Sequence, residues 1–443
     1  MAHASRATSK HSWASPKPSD SLGFPSWRNS AFFSHTIQWP ILKSASTIED
    51  ASNMAKARDS LCHRLLEIGA NLHPLEWVLL GVVFPIATLC INGPLGVALR
   101  YNITIQLCIF TALVQIPVLL TSAMAYVDIG WPVGVVALAF TALTHCGDGW
   151  WVRRWLTAAI VALHGGRMAL GAVVLLGKLS KWTYRFSSVN DLQRYRFARV
   201  RWERTMPAST WWIKAQHDTL QQCLANSVVL AVPILAAASN PTPRVAALEL
   251  IGWGTWVAAW AFENVADVQK LAFLSASKKA YRSLPAGPKR DALKSACLGV
   301  APYDTERYSL WTMCRHPNYF GEWCCWLGIV LASLPSLLPG EGALDLSGGS
   351  SVFSSFRLDE NVLRTILLLT ALYALRMFYD CLVYWTGALP AEFFSSAKRP
   401  KYREYQLTVN CFFPRQLNWL FIGDTERWRL FHHRIAGWPR NGE

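Results

Sequence analysis

Long apolar runs alternate with short polar segments along most of the chain. Each of these runs approaches the roughly 20 residues that a helix needs to cross the hydrocarbon of a bilayer. They cover residues 75–97, 103–124, 129–146, 155–177, 222–239, 247–264, 319–338 and 362–386. Because a helix satisfies its own backbone hydrogen bonds in lipid, the pattern predicts an all-α, polytopic membrane bundle of about seven or eight transmembrane helices.

The two ends of the chain have a different composition from this apolar region. Residues 1–70 are rich in Ser at first, carry scattered Lys, Arg and His, and then become mixed in charge. This composition is typical of a disordered cytosolic tail, with an organelle transit peptide as the alternative. We therefore divide the chain into a tail over 1–70, a membrane domain over 71–418 and a basic C-terminal tail over 419–443.

The basic residues lie mainly in the loops between the apolar runs. Loops 178–204 and 265–315 and the segment after Lys398 are basic, whereas loop 339–361 is acidic. Two predicted spans separate each basic stretch from the next, so all three face one side, and the positive-inside rule makes that side the cytosol. The pair Arg153–Arg154 is an exception, because it falls on the opposite side. We expect an endoplasmic reticulum protein with both termini in the cytosol, or an organelle membrane protein if the N-terminal tail is a transit peptide.

The composition supports a membrane protein rather than a nucleic-acid-binding one. Hydrophobic residues make up 52% of the chain and charged residues 16%, against roughly 25% charged in soluble domains. The 22 Trp suit the interfaces between membrane and water. The net charge of +15 is spread over loops, so we expect a bilayer and not a nucleic acid as the partner. The 11 Cys include no CxxC pair, so no metal site or disulfide framework is predicted.

Ionisable residues within the predicted spans are candidates for function, since burying a charge in lipid is costly. Asp128 lies between two apolar runs, His164 and Arg167 lie in the middle of span 155–177, and Glu263 and Asp267 lie at the end of span 247–264. The alternative is a structural role, in which Asp128 and Arg167 form an ion pair that holds two helices together.

The densest cluster of functional side chains is the run from Arg315 to Glu322. It reads Arg-His-Pro-Asn-Tyr-Phe-Gly-Glu and stands just before an apolar run, where Pro317 is suited to open a helix. Free backbone N–H groups at such a helix start favour an anionic phosphate. A second cluster, Lys401–Tyr402–Arg403, suits either a 2′-phosphate and a base or the anchoring of lipid headgroups.

The run from Arg315 to Glu322 resembles the signature of the steroid 5-alpha-reductase C-terminal superfamily, in particular its DUF1295 branch. Further matches follow in the same order at residues 127–131, 194–202, 262–267 and 401–405, and the resemblance covers roughly residues 75–415. Two positions differ from the steroid reductases. Glu263 stands where they have Asn, and residues 386–390 replace a stretch that carries His and Tyr.

The resemblance implies a helix bundle that binds NADPH from the cytosol and reduces an activated carbon–carbon double bond in a lipid of the sterol, steroid or long-chain enone type. The protein would then be an oxidoreductase acting on CH–CH groups. For catalysis we predict an acid that polarises the substrate, supplied by Glu322, Asp128 or Tyr126. The residues predicted to bind the cofactor are Asp267, Lys270, Arg315, His316, Asn318, Tyr319, Lys401, Tyr402 and Arg403.

Two other functions remain open at this point. Isoprenylcysteine and phospholipid methyltransferases also carry an Arg-His-Pro-x-Tyr stretch, which there binds S-adenosylmethionine. Asn318, Glu322 and the segments around Asp128 and Asp267 favour the reductase. A sterol-binding or scaffold protein that keeps the pocket without turnover is the third alternative.

Overall fold

The computed structural model describes residues 78–179, 191–340, 343–344, 346 and 359–417, and all regular structure within these ranges is helical. The prediction of an all-α membrane bundle is therefore confirmed. The predictions for the tails over 1–70 and 419–443 lie outside the described residues. The described residues all belong to a single compact unit.

Besides short 3₁₀ turns, the described residues form thirteen helices. In chain order they are α1 (Leu79–Cys90), α2 (Gly93–Thr121), α3 (Met124–His145), α4 (Trp151–Leu179), α5 (Gln193–Thr205), α6 (Ala208–Ser239), α7 (Ala247–Ser283), α8 (Pro288–Lys294), α9 (Leu310–Met313), α10 (Pro317–Leu337), α11 (Glu360–Asp380), α12 (Ala388–Lys398) and α13 (Pro400–Thr408). A π-helical segment, Cys381–Trp385, extends α11 toward α12.

Six described helical segments are long and apolar enough to cross a membrane. They are α2, α3, α4 up to Val174, α6, α10, and the segment Glu360–Ser396 that contains α11 and most of α12. Large apolar side chains such as Phe140, Leu170 and Val173 are more than 60% exposed, as expected for residues that face lipid. The chain is an integral membrane protein.

The two other predicted spans, 75–97 and 247–264, are not among these six. The first is interrupted and therefore short, and the second continues as a polar helix. The run predicted over 75–97 is interrupted at Ile91 and Asn92, where the backbone becomes extended, so α1 is a short apolar helix. Helix α2 restarts at Gly93, with a proline in its first turn. Helix α7 contains the run predicted over 247–264 but continues to Ser283 with many charged residues. The predicted runs therefore coincide with helices, and six of the described segments have the length and apolar composition of a span.

Helix α6 lies at the centre of the bundle. In the most apolar stretch of α6, 89% of the residues are buried, against 22% in the corresponding stretch of α2. Its residues Val228–Ala238 belong to the largest hydrophobic core together with residues of α2, α3, α4, α10 and α11. Helix α6 thus serves as the core around which the other spans pack.

Glycines allow α7 and α10 to pack in close contact. A Cβ atom added to Gly252 would lie 2.5 Å from the backbone nitrogen of Ala332, and one added to Gly328 would lie 2.6 Å from the carbonyl oxygen of Gly252. A Cβ atom on Gly321 would lie 2.8 Å from the Cβ atom of Glu263. Small residues let membrane helices approach closely in this way. The contact brings the polar residues of α7 next to those of α10.

Arg153 links α4 to the start of α7 in the protein interior. It is 1% exposed, and its Nε and Nη2 atoms lie 2.5 and 3.0 Å from the two carboxylate oxygens of Glu249. The guanidinium also donates to the backbone carbonyls of Asn240, Thr242 and Arg244. This arrangement explains a basic residue on the side predicted to be outside, since the charge of Arg153 is neutralised within the fold.

Candidate active site

A single cavity of about 750 Å³ lies between the helices and contains most of the in-span ionisable residues. Residues of α1, α3, α4, α5, α6, α7, α10 and α11 line it. Its apolar wall includes Trp131, Met168, Trp202, Met377 and Phe378. Mostly apolar pockets with a few converging polar groups are typical of small-molecule sites.

Arg167 on α4 is the central cation of the cavity wall. Its Nη2 atom forms a short ion pair with Glu263, and its Nη1 atom donates to Asp267 Oδ2 at 3.1 Å. The same Nη2 lies 3.8 Å from Glu322 Oε2. The ion pair between Asp128 and Arg167, which was the structural alternative, is therefore not formed. Glu263 and Asp267 of α7 lie within ion-pair distance of Arg167, whereas Asp128 lies within that distance of Arg194.

Asn318 lies in the first turn of α10, which begins at Pro317 as predicted. Its Nδ2 atom donates to Asp267 Oδ1 at 3.1 Å. Its Oδ1 atom is buried and has no hydrogen-bond partner among the described residues. Asp267 thus fixes the amide through its nitrogen and leaves a carbonyl oxygen at the cavity, available to a ligand N–H group.

Glu322 lies one helical turn after Asn318 and also lines the cavity, as the sequence predicted. Its Oε1 atom lies 2.9 Å from His164 Nε2 and accepts a hydrogen bond of 2.9 Å from Trp326 Nε1. Glu322 is therefore held by α4 and by its own helix, and it is Asp267 rather than Glu322 that orients Asn318.

Asp128 forms a second polar centre, on α3, with two residues of α5. The Tyr195 hydroxyl donates to Asp128 Oδ1 at 3.0 Å, and Arg194 Nη1 lies 3.6 Å from the same oxygen. Burial and the neighbouring carboxylate of Asp128 raise the pKa of the Tyr195 phenol well above its usual value, so the phenol keeps its proton at neutral pH. Asp128 Oδ2 is buried and has no partner among the described residues. The pair therefore combines a permanent proton donor with a free carboxyl oxygen.

Arg315 and His316 do not line the cavity, contrary to their predicted role as cofactor ligands. Arg315 is 2% exposed, donates from Nε to Glu392 Oε1 at 2.7 Å, and also donates to the carbonyls of Gln406 and Val409. His316 Nε2 lies 2.9 Å from the same Glu392 oxygen, and burial lowers the pKa of the His316 ring. Their charges and donors are used to join α10 to α12 and α13, which the sequence could not reveal because Glu392 is 77 residues away from Arg315.

The other predicted site residues fall into three groups. Tyr319 lines the cavity and stacks on His316 at 5.2 Å between ring centroids. Lys270 lies one turn beyond Asp267 on α7, exposed, with its ammonium 5.4 Å from the Trp311 ring. Tyr126 is half-buried against the aromatic and aliphatic cluster around Phe110 and does not line the cavity.

The C-terminal cluster lies away from the cavity. Lys401 is exposed, whereas Tyr402 is 7% exposed and packs with Cys297, Tyr405 and Val409. The side chain of Arg403 lies outside the described residues. Tyr402 is therefore a core residue of the region around α13, and its predicted stacking on a base is not supported.

Several residues of the site were not predicted as such from the sequence. Tyr195 was noticed only as part of a motif, and His164 and Arg167 only as charges within a span. Their spacing of three residues on one helix places both on one face, and this is the signal that could have joined them to the site. The link from Arg167 to Glu263 and Asp267 has no such signal, since it joins different helices.

Comparisons with known proteins agree with this architecture. A family model described as "Protein of unknown function (DUF1295)" matches residues 116–348, which is more than half of the chain. The matched region includes Asp128, Arg167, Asp267, Asn318 and Glu322 and ends before the C-terminal cluster at Lys401. Searches of curated proteins and of solved structures found no match. The chain belongs to the DUF1295 family of membrane proteins, which is of the steroid 5-alpha-reductase-like type.

Proposed function

We propose that the protein is a reductase that uses NADPH to reduce an activated carbon–carbon double bond in a lipid. The observation that carries this proposal is one cavity that is lined by both polar centres, Asn318–Asp267–Glu322 and Asp128–Tyr195, and by apolar side chains. One centre suits an amide-bearing cofactor ring and the other suits a substrate oxygen. The apolar wall suits a sterol-like or long-chain enone.

The first centre fits the nicotinamide end of such a cofactor. The unpartnered Asn318 Oδ1 would accept an N–H from the carboxamide, while Asp267 keeps the Asn318 side chain in place. The cavity wall holds fewer cations than carboxylates, so the phosphates would lie outside it. Lys270 is the nearest predicted phosphate ligand along α7, one turn from Asp267. When bound, the reduced nicotinamide supplies the hydride that goes to the β-carbon of the double bond.

The second centre would act on the substrate. The Tyr195 phenol has one proton, which it donates to Asp128 Oδ1 in the chain without a ligand. A substrate carbonyl oxygen would replace Asp128 as the acceptor, so that the phenol stabilises the negative charge that develops there. The free Oδ2 atom of Asp128 can receive a substrate hydroxyl. A proton that water supplies to the α-carbon would complete the reduction, so that hydride and proton together saturate the double bond.

Ligand binding to the full chain purified in detergent tests the proposal. NADPH should raise the melting temperature, as a ligand at 100 times its Kd adds about 2.7 kcal/mol to stability. NADH should raise it less, since it lacks the 2′-phosphate that Lys or Arg can bind. A shift with S-adenosylmethionine alone would support the methyltransferase instead. Binding of NADPH without turnover of any enone would support the non-catalytic role.

Asn318 provides the variant that links this binding to the cavity. Asn318→Ala removes the carbonyl acceptor and should weaken NADPH binding about tenfold, because a lost hydrogen bond costs about 0.5–1.5 kcal/mol. Asn264→Ala is the matched control, since its Nδ2 donates only to Trp260 within α7. An unchanged NADPH titration for Asn318→Ala would place the cofactor elsewhere.

A further inference from the structure

Two buried side chains, on α4 and α7, each have a polar atom without a hydrogen-bond partner in the described part of the chain. His164 is fully buried, and its Nδ1 atom has no hydrogen-bond partner among the described residues. Glu263 is 4% exposed, and its Oε2 atom likewise has none there. A buried polar atom without a partner costs about 1–3 kcal/mol, so this pair requires an explanation.

The thiol of Cys325 on α10 completes a set of three ligand-type atoms. One ligand atom each from His164, Glu263 and Cys325 lies within 4.8 Å of the others, and all three residues are buried. Imidazole nitrogen, carboxylate oxygen and thiolate sulfur are the atoms that Zn²⁺ takes in proteins, at about 2.0–2.3 Å. Binding of one ion by all three residues would require these atoms to move closer together.

Neighbouring side chains already hold two of the three candidate ligands, His164 and Glu263, in place. Glu322 Oε1 lies 2.9 Å from His164 Nε2. A neutral imidazole that donates from Nε2 to this carboxylate has its lone pair on Nδ1, where a metal ion can bind. A carboxylate that holds the far nitrogen of a ligand histidine is the usual support of protein zinc sites. Arg167 likewise holds the other oxygen of Glu263.

The local charge also favours a divalent cation. Glu263, Asp267 and Glu322 all lie within ion-pair distance of Arg167. Three carboxylates thus surround a single guanidinium, and a bound cation would add positive charge to this cluster.

We propose that His164, Glu263 and Cys325 bind a Zn²⁺ ion that joins α4, α7 and α10 beside the cavity. Three protein ligands leave one tetrahedral position for water or another small ligand. His316, Glu392 and Cys411 form a second cluster of the same residue types. The oxygens of Glu392 already accept hydrogen bonds there from Arg315, His316 and Gln406. This cluster is therefore not proposed as a metal site.

Cobalt substitution of the full chain tests the proposal. After removal of metals with a chelator, the protein in detergent is titrated with Co²⁺, whose thiolate complexes absorb by charge transfer. We expect one equivalent with this absorption in the parent chain. Cys325→Ser should abolish the absorption and weaken metal binding about tenfold or more. Cys324→Ser is the matched control and should retain both, because Cys324 is not part of the cluster.

X-ray absorption at the zinc edge provides a second measurement that needs no variant. The zinc-loaded parent chain should show one sulfur at about 2.3 Å and nitrogen or oxygen at about 2.0–2.2 Å. Zinc bound without a sulfur neighbour, or a charge-transfer band that survives in Cys325→Ser, would overturn the proposal. Absence of bound metal would overturn it too, and would indicate that a buried water bridges the two unpartnered atoms.

Discussion

At the scale of single residues, Asp128 and Tyr195 form a polar pair on the cavity wall. Like Asn318 and Glu263, Asp128 keeps one buried oxygen without a partner among the described residues. Tyr195 points its hydroxyl at the other oxygen. Such a pair is costly for stability alone, which favours a role toward a ligand.

A comparison of two tyrosines tests this role. Tyr195→Phe should lower turnover of an enone about 100-fold, as expected for loss of a positioned proton donor. It should leave the NADPH-induced rise in melting temperature unchanged, since Asn318 lies in the other polar centre. Tyr126→Phe removes the same hydroxyl outside the cavity and should leave turnover unchanged. Equal effects of the two variants would remove Tyr195 from the site.

The residue types of the site could be predicted from the sequence, but their partners could not. Asp128, Asp267, Asn318, Tyr319 and Glu322 all line the cavity, because charges within apolar runs are retained only for a reason. The partner of a given charge depends on which helices are neighbours and how each is rotated. A single sequence contains neither quantity, so Arg167 was paired with Asp128 and Arg315 was assigned to the cofactor.

At the scale of elements, the contact between α7 and α10 determines the geometry around Asn318 and Asp267. Gly252, Gly321 and Gly328 lie along this contact, with backbone atoms of the facing helix within 3.2 Å of the position of each added Cβ. Asp267 reaches Asn318 across the same pair of helices. Separation of the helices would therefore lengthen the hydrogen bond that orients the amide.

Two glycines of α7 allow this dependence to be measured. Gly252→Ala places a methyl group against the backbone of α10 and should destabilise the protein by about 1–3 kcal/mol. Gly254 is exposed, with nothing within 4 Å of an added Cβ atom. Gly254→Ala should therefore stabilise the helix by up to about 1 kcal/mol. Thermal unfolding in detergent compares the two, and equal melting temperatures would contradict the close contact.

The elements were predicted better than the contacts between them. Apolar runs identified the helical segments, and Pro317 identified the start of α10, because both signals are local. The break between α1 and α2 was missed, since the apolar run continues through Ile91 while the backbone does not. The close helix contacts at these glycines were not predicted either, because the sequence does not show whether a Gly faces another helix or faces lipid.

At the scale of the whole molecule, the described helices are compatible with the predicted orientation. Helices α6 and α7 lie between segment 178–204 and the basic residues that follow Ser283, so the predicted orientation requires the apolar first part of α7 to cross the membrane together with α6. Helices α10 and α11 lie between these basic residues and the C-terminal basic segment. The proposal that all three basic segments face the cytosol therefore remains open to a direct test.

Protease protection in sealed microsomes provides this test. Tags inserted in loop 178–204 and at the C-terminus should be cut from the cytosolic side, because their basic residues are retained there. A tag in the acidic loop 339–361 should be protected until detergent opens the vesicles. Cleavage of the tag in loop 339–361 together with protection of the C-terminal tag would reverse the orientation.

The buried link between Arg153 and Glu249 also has a consequence for biosynthesis. A ribosome delivers Arg153 to the membrane 96 residues before the carboxylate that neutralises it. Until α7 has been inserted, α4 carries an uncompensated charge, and breaking such a pair costs about 3–5 kcal/mol in a finished protein. The first four helices therefore cannot complete their packing until α7 has been synthesised. We expect nascent chains that end before Glu249 to remain with the insertion machinery and longer ones to leave it.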